Sequence, residues 1–404
     1  MRKGKITCLQ TFKAATDKAK FWSHASTSQF KCTMGSSGSI FSGSSKQHIL
    51  TGHEGSINDM CISPDGSFLA TASEDGTCRV WDIQQKTLKA VMTGHSQYVS
   101  CIATSDTHIF TGSADKAVRR WNRHTGECEG VFTGHQSVVT KIIVHGDFLF
   151  SASLDKTVRL WSVSTGQCLH VYTEHTRGIS TMLLADLSVP DRRLWRKWRS
   201  KSALSSPVEE PHKFLLITGS ADNSAKAWTP ARASSVVTYT GHGSAVICLD
   251  VNAGERQLFT GSSDGTARSW DLETGQPLCM YDGHMGPIIC LKVYHRLLFT
   301  GSADGTVRRW YTDTKECTRV YRGHKNAVTS LVVEGSVLFT SGGDGLTRAW
   351  DMKTGDCRKI FRGHEFLINC ILVSDHKLYS GSYDKTVRIW DVKPLLCVCY
   401  KAKC

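Results

Sequence analysis

A histidine preceded by glycine or glutamate recurs at His53, His95, His135, His175, His242, His284, His324 and His364. A tryptophan answers each one at Trp81, Trp121, Trp161, Trp228, Trp270, Trp310, Trp350 and Trp390. The histidines lie 40 to 42 residues apart, except for 67 between His175 and His242, so one unit carries about 27 extra residues. This periodicity restricts the fold more than any other feature, because a repeat of such length is one supersecondary unit that must bury its faces against its neighbours. Within a unit, apolar and polar residues alternate with period two between Gly/Asp turns, as in VTSLVV (328–333) and VLFTS (337–341). Each unit therefore reads as roughly four short antiparallel strands.

The segment LFTGSADGTVRRW (298–310) poses a chemical question, since Ser302, Asp304 and His284 are the residue types of a hydrolytic triad. The same elements recur in FTGSADKAVRRW (110–121), FTGSSDGTARSW (259–270) and YSGSYDKTVRIW (379–390). A nucleophile needs one unmatched copy beside an oxyanion site, and no unit stands apart in that way. The expectation is no catalytic residue, and the Asp304-Gly305 pair reads as a tight hairpin turn.

With Gly-His near the start of each unit and Trp-Asp or a variant near its end, residues 47 to about 401 resemble the WD-repeat β-propeller family. The final Asp is literal at Asp82, Asp271, Asp351 and Asp391 and is replaced by Asn122, Ser162, Thr229 and Tyr311. The resemblance implies an all-β, eight-bladed propeller with four antiparallel strands per blade and a ring closed by strand exchange between the termini. Residues 46–404 would form it, with an inserted basic loop at about 187–213, after a basic, disordered segment over 1–45. Either KQHILT (46–51) or LLCVCYK (395–401) could supply the closing strand. The first fits better, because it precedes TGH as VFTGH and VYTEH do elsewhere.

The resemblance also implies where the repeated polar residues sit: His on the loop leading into the innermost strand, Ser/Thr on the second strand, Asp in the turn after it, Trp on the third. The aspartates are Asp75, Asp115, Asp155, Asp222, Asp264, Asp304, Asp344 and Asp384. A hydrogen-bonded quartet would then brace each blade. The Arg or Lys two residues before each Trp (Arg79, Arg119, Arg159, Lys226, Arg268, Arg308, Arg348, Arg388) reads as a scaffold feature stacked on the ring. The chain has sixteen cysteines. The series Cys128, Cys168, Cys317, Cys357 and Cys101, Cys248, Cys290, Cys370 occupy equivalent places in different units, too far apart for bridges, and read as small buried hydrophobes. Cys397, Cys399 and Cys404 lack the partners of a zinc set, so no metal and no cofactor is expected.

Of the net charge of +13, residues 1–33 carry +6 and residues 187–213 carry +4, which leaves only +3 elsewhere. That is too little for a basic nucleic-acid surface over the whole fold. No stretch reaches the apolar length of a membrane-spanning helix and no secretory signal is evident, so the expected setting is cytoplasmic, nuclear or peripheral to a membrane, and the expected state a monomeric propeller.

Partner residues are sought where the repeats disagree. On the face that the resemblance marks for partners, Tyr98, Met285, Pro287, Phe366 and Leu367 stand on the leading loops where other units have Gly, Ser or Ala. Leu154, Tyr383 and Glu74 precede the turn Asp, and Ile247 and Ile289 replace the Asn, Ser or Thr of the other six units (Asn58, Ser100, Thr140, Ser180, Thr329, Asn369). Apolar and aromatic side chains on a polar rim suit a protein-protein docking site, which makes a non-enzymatic scaffold the expected function. A second expectation is a substrate receptor of a cullin-type ubiquitin ligase, from the Trp390-Asp391-Val392-Lys393 ending. A third is an adaptor for a membrane or an acidic partner through Arg192, Arg193, Trp195, Arg196, Lys197, Trp198 and Arg199. MGSSGS at Met34 would make Gly35 an N-myristoylation site if translation began there, against a plain Gly/Ser linker.

Overall fold

Seven units form four strands each and the eighth forms three, and the units stand side by side. The computed structural model describes residues 47–186, 214–230, 232 and 234–396. Among these, 32 strands make eight four-stranded antiparallel sheets. Blade 1 runs outward from the axis as β2 (Ile57–Ile62), β3 (Phe68–Ser73), β4 (Cys78–Asp82) and β5 (Leu88–Met92). Blades 2 to 7, numbered by their histidines in chain order, repeat this sequence. Blade 8 consists of β30 (Ile368–Ser374), β31 (Lys377–Ser382) and β32 (Val387–Asp391), with β1 (Gln47–Leu50) as its outermost strand. β1 pairs antiparallel with β32 from Gln47↔Trp390 to Leu50↔Val387, so the N-terminal segment closes the ring, as its resemblance to the other outermost strands foretells. Successive innermost strands touch, and β30 touches β2.

Burial follows position in the blade. The second strands are buried throughout in three blades, as in VLFTSG (Val337–Gly342), and at all but their first residue in the other five, because neighbouring blades cover both faces. The outermost strands leave their residues exposed or half-buried except for one buried at or next to the end, as in β13 (Cys168–Tyr172). Period-two alternation therefore describes the units less well than an inside-to-outside gradient. The core is divided into layers between blades. Cys101, Phe110, Val118 and Phe132 of blade 2 pack with Val139, Ile142, Leu149 and Trp161 of blade 3. In six blades an aromatic at the end of the outermost strand meets the next Trp, as in Phe132–Trp161 at 5.7 Å and Tyr172–Trp228 at 5.2 Å, and Met92 and Leu50 take that place in the other two. Burying one such side chain contributes about 1.5–3 kcal/mol.

A β-bulge interrupts every innermost strand, and its extra residue is Asn58, Ser100, Thr140, Ser180, Ile247, Ile289, Thr329 or Asn369. The six polar ones donate to a carbonyl of the next blade: Asn58 Nδ2 to Val99 O at 2.7 Å, Thr140 Oγ1 to Ile179 O at 2.8 Å, Ser180 Oγ to Val246 O at 2.5 Å, Thr329 Oγ1 to Ile368 O at 2.5 Å, and Ser100 Oγ to Val139 O. Asn369 Nδ2 reaches Ile57 O at 2.6 Å and carries this belt across the point of ring closure. Ile247 and Ile289 interrupt it.

The cysteine expectation holds for one series only. Cys101, Cys248, Cys290 and Cys370 are buried, whereas Cys128, Cys168 and Cys357 are exposed and Cys317 is half-buried. The second set fails because it opens the outermost strands, which no further blade covers.

Candidate docking face

Each blade presents two loops on one end of the ring, and a buried polar quartet holds them together. The His Nδ1 lies 2.6–2.9 Å from the Asp carboxylate of the turn. The His Nε2 lies 2.7–2.9 Å from a second-strand hydroxyl. The Trp Nε1–H donates to that same hydroxyl at 2.8–3.3 Å. In seven blades the network assigns a proton to Nδ1 facing the carboxylate, with Nε2 accepting from the hydroxyl; in blade 7 Nδ1 also faces the Arg348 guanidinium, which can only donate.

This is the hydrogen-bond order of a hydrolytic triad, yet it cannot act as one. The hydroxyl in blade 6 is Thr300, two residues before the Ser302 that the sequence suggested; Ser302 instead accepts from Asp304 N at 3.1 Å and donates to Gly286 O at 2.9 Å. All eight hydroxyls, Thr71, Thr111, Ser151, Thr218, Thr260, Thr300, Thr340 and Ser380, have 0% exposure, and the indole N–H occupies the lone pair a nucleophile would use.

The carboxylate also accepts the backbone N–H of the residue after His, at 2.9–3.3 Å, which ties the leading loop to the turn. Burial opposes the charged form of Asp115, but hydrogen bonds from His95 and from the N–H groups of Ala117 and Ser96 hold it at about 2. Asp384 is likewise held at about 2 against burial, by His364 and Thr386. The loops are thus fixed from below by charge-assisted hydrogen bonds, and side chains between the fixed points are displayed on a rigid platform.

Two blades modify the pattern. In blade 4, Glu174 replaces the Gly before His and Lys226 replaces Arg. In five of the other blades the guanidinium crowds that position: a Cβ on Gly134, whose φ is +152°, would stand 2.7 Å from Arg159 Nη1. The slimmer Lys226 admits Glu174, and its Nζ lies 3.4 Å from the Glu174 carboxylate. In blade 7, Gly342 and Leu346 stand where other blades have Ser and, in most, Thr or Ser. Arg348 Nη1 bonds Asp344 at 2.9 Å and His324 Nδ1 at 2.8 Å there. Stacking on Trp, expected for all eight cations, is seen for Arg159 over Trp161 at 5.7 Å and Arg308 over Trp310 at 5.8 Å. Both exchanges were legible as departures from the repeat, though their partners were not.

Among the candidate partner residues, Met285 (92%), Phe366 (56%) and Tyr383 (49%) are exposed. Tyr98, Leu154, Ile289, Leu367, Pro287 and Glu74 are half-buried, and Ile247 is buried. Tyr383 N donates to Leu367 O at 2.9 Å, and the Phe366 and Tyr383 rings meet edge to face at 6.3 Å, so blade 8 assembles these three side chains into one patch. Met285 stands apart on blade 6. Leu154 leans on the leading loop of blade 4, where a Cβ on Gly178 would lie 3.0 Å from its Cδ2. The basic-loop residues, Gly35 and Cys397, Cys399 and Cys404 lie outside the described residues. The strands flanking the loop, β14 (Ile179–Asp186) and β15 (Phe214–Ser220), pair from Ile179↔Ser220 to Asp186↔Phe214. The insertion thus leaves at the end of the blade remote from the turn Asp222. No helix among the described residues is long and apolar enough to cross a membrane.

Comparison with known proteins agrees with this architecture. The profile of the family described as WD domain, G-beta repeat, matches residues 44–82, 86–122, 126–162, 233–271, 275–311, 315–351 and 355–391. It passes over blade 4, where the insertion splits the unit. Human WD repeat-containing protein 86 is 41% identical over 58 residues, which is 14% of this chain and 15% of that protein. The general transcriptional corepressor TUP1 of Saccharomyces cerevisiae is 46% identical over 41 residues, 10% of this chain and 6% of the relative. Target of rapamycin complex subunit LST8-1 of Arabidopsis thaliana is 39% identical over 51 residues, 13% of this chain and 17% of the relative. The matched stretches therefore span less than a fifth of each relative. The crystal structure of the computationally designed Ika8 protein superposes with a TM-score of 0.71 at 26% identity, covering 84% of this chain and 98% of the designed one. With eight closed four-stranded blades and seven matched repeats, the chain belongs to the WD domain, G-beta repeat family.

Proposed function

We propose that the protein is a non-enzymatic scaffold that docks a partner protein on blade 8, at the patch of Phe366, Leu367 and Tyr383. Propellers of this family generally bind other proteins. The observation that carries the reading is the exposed aromatic pair at 6.3 Å, held on loops that the quartet fixes from beneath. Such a pair offers a large apolar contact at little entropic cost, because the platform is ordered before the partner arrives. The hydroxyls of all eight quartets are closed to substrate, which supports a binding role for this face. The test is proximity labelling in cells with the full chain and with Phe366→Asp combined with Tyr383→Ala. Loss of a discrete set of labelled proteins, with an unchanged melting temperature, is the expected result; an unchanged set would show that the docking surface lies elsewhere.

A further inference from the structure

Charge on the docking face is divided by blade. The residue after each His and the residue before each turn Asp carry a carboxylate only in blades 8 and 1, as Glu365, Glu54 and Glu74. In blades 2 to 4 the leading loops (96–98, 136–138, 176–178) and turns (114–117, 154–157, 221–224) hold no acid beyond the quartet aspartates, which His and the backbone already engage. Glu174, ahead of His175, is taken by Lys226 and Ser235. The same loops carry Lys116, Lys156 and Arg177, all exposed, and among the described residues none of the three forms an ion pair. The other two lysines of these loop positions, Lys325 and Lys385, lie in blades 7 and 8, on the acidic side of the ring.

The three cations are brought together by the joints between blades. Lys116 and Lys156 follow the turn Asp with φ of +74° and +76°, the place that Gly76 fills in blade 1 at +80°. There the turn abuts the leading loop of the next blade: a Cβ on Gly76 would lie 3.4 Å from Gln97 O, and one on Gly305 3.0 Å from His324 O. In blade 4, Asn223 Nδ2 at that place donates to Gly243 O of blade 5 at 3.3 Å. Lys116 therefore stems from the joint of blades 2 and 3. Lys156 stems from the joint of blades 3 and 4, where Arg177 stands on the adjoining loop. Half-buried Tyr98 and Leu154 offer apolar surface beside them, since Ala114 N donates to Tyr98 O at 3.0 Å and Leu154 N to Val138 O at 3.0 Å. Three cations are too few for a nucleic-acid track, whose affinity grows with each phosphate neutralised. A short run of carboxylates spaced by apolar residues matches both the number of charges and the apolar surface.

We propose that the loops of blades 2 to 4 form a second docking surface, separate from the patch on blade 8, and that it takes an acidic peptide segment of a partner protein. Carboxylates of the segment meet Lys116, Lys156 and Arg177, and its apolar side chains meet Tyr98 and Leu154.

The test is fluorescence anisotropy of the folded full chain with a fluorescein-labelled peptide of alternating Asp and Leu, compared with alternating Lys and Leu and with a short oligothymidylate. The acidic peptide is expected to bind and the basic one is not. Lys116→Glu with Lys156→Glu should weaken binding about tenfold or more, whereas Lys325→Glu with Lys385→Glu, an equal change in net charge, should alter it less than about twofold. Phe366→Asp with Tyr383→Ala should leave it unchanged, which separates this surface from the one on blade 8. Equal losses in the two charge reversals would reveal general attraction to a basic chain and overturn the proposal. No loss in the first reversal, no binding of the acidic peptide, or a loss in the blade 8 variant also overturns it. Oligothymidylate that binds more tightly than the peptide and is released by the same reversal would assign the surface to nucleic acid instead. Should the first reversal lower the melting temperature, Lys116→Gln with Lys156→Gln decides: weakened binding with unchanged melting supports the proposal, and unchanged binding overturns it.

Discussion

Thr300 carries two hydrogen bonds that no other group can replace. It links His284 Nε2 at 2.9 Å to Trp310 Nε1 at 2.8 Å, in a site closed to water. Thr300→Val keeps the shape and orphans both partners, so it is expected to destabilise by about 2–4 kcal/mol in denaturant unfolding. Ser302→Ala, which frees groups nearer the surface, should lose only about 1 kcal/mol. The aspartates make stability depend on pH. Asp115 and Asp384 sit at about 2 in the fold, against 3.8 when unconstrained, so the native state binds fewer protons than the unfolded chain. Their contribution is complete above the unfolded value and is lost as pH falls through the native one. Melting temperature should therefore drop steeply between about pH 4 and pH 2. Asp384→Asn should lower it at neutral pH while flattening that acid slope.

At the scale of the element, β1 is where ring closure rests. It adds one strand to blade 8 and buries Leu50 (3% exposed) in a cluster with Ile57, Met60 and Trp81 of blade 1 and Val387 and Ile389 of blade 8. Leu50→Ala is expected to destabilise by about 2–4 kcal/mol, by lost transfer energy and the cavity left behind. Calorimetry checks it, with exposed Leu88→Ala as a near-neutral comparison. Closing strand and blade order were legible in the sequence, because KQHILT precedes TGH as other outermost strands do. The exposure of Cys128, Cys168 and Cys357 was not, because position along a strand does not say whether another blade covers it.

The belt around the axis makes the ring uneven as a whole. Six joints between blades have a hydroxyl or amide donor on the bulge, and two have Ile247 and Ile289. At the joint between blades 5 and 6, Asp250 compensates, accepting from Val293 N at 2.7 Å and pairing with Lys292 at 2.9 Å. Between blades 6 and 7 the bulge side chain, Ile289, has no donor, and the neighbouring Cys290 thiol lies 3.8 Å from Val328 O. Amides of Ile288–Tyr294 and Val328–Glu334 are therefore expected to exchange hydrogen faster than those of Val99–Thr104. Ile289→Thr, which restores a donor, should slow them. Uniform exchange around the ring would refute the weak joint.

From its sequence alone this chain could be assigned eight units, their strands, the His, Asp and Trp of each quartet and the first segment as closing strand, because periodic spacing and turn residues are local signals that need no partner. Tertiary structure alone decided that the hydroxyl is Thr300 and that Arg348 turns to Asp344. It also decided that the bulge residues bind the next blade, and that Phe366, Leu367 and Tyr383 form one patch while Met285 stands apart. The physical reason is common to all of these. Their partners are backbone carbonyls, redirected guanidinium groups or side chains on another loop, and where such groups meet is set by the packing of blades and not by any pattern along the chain.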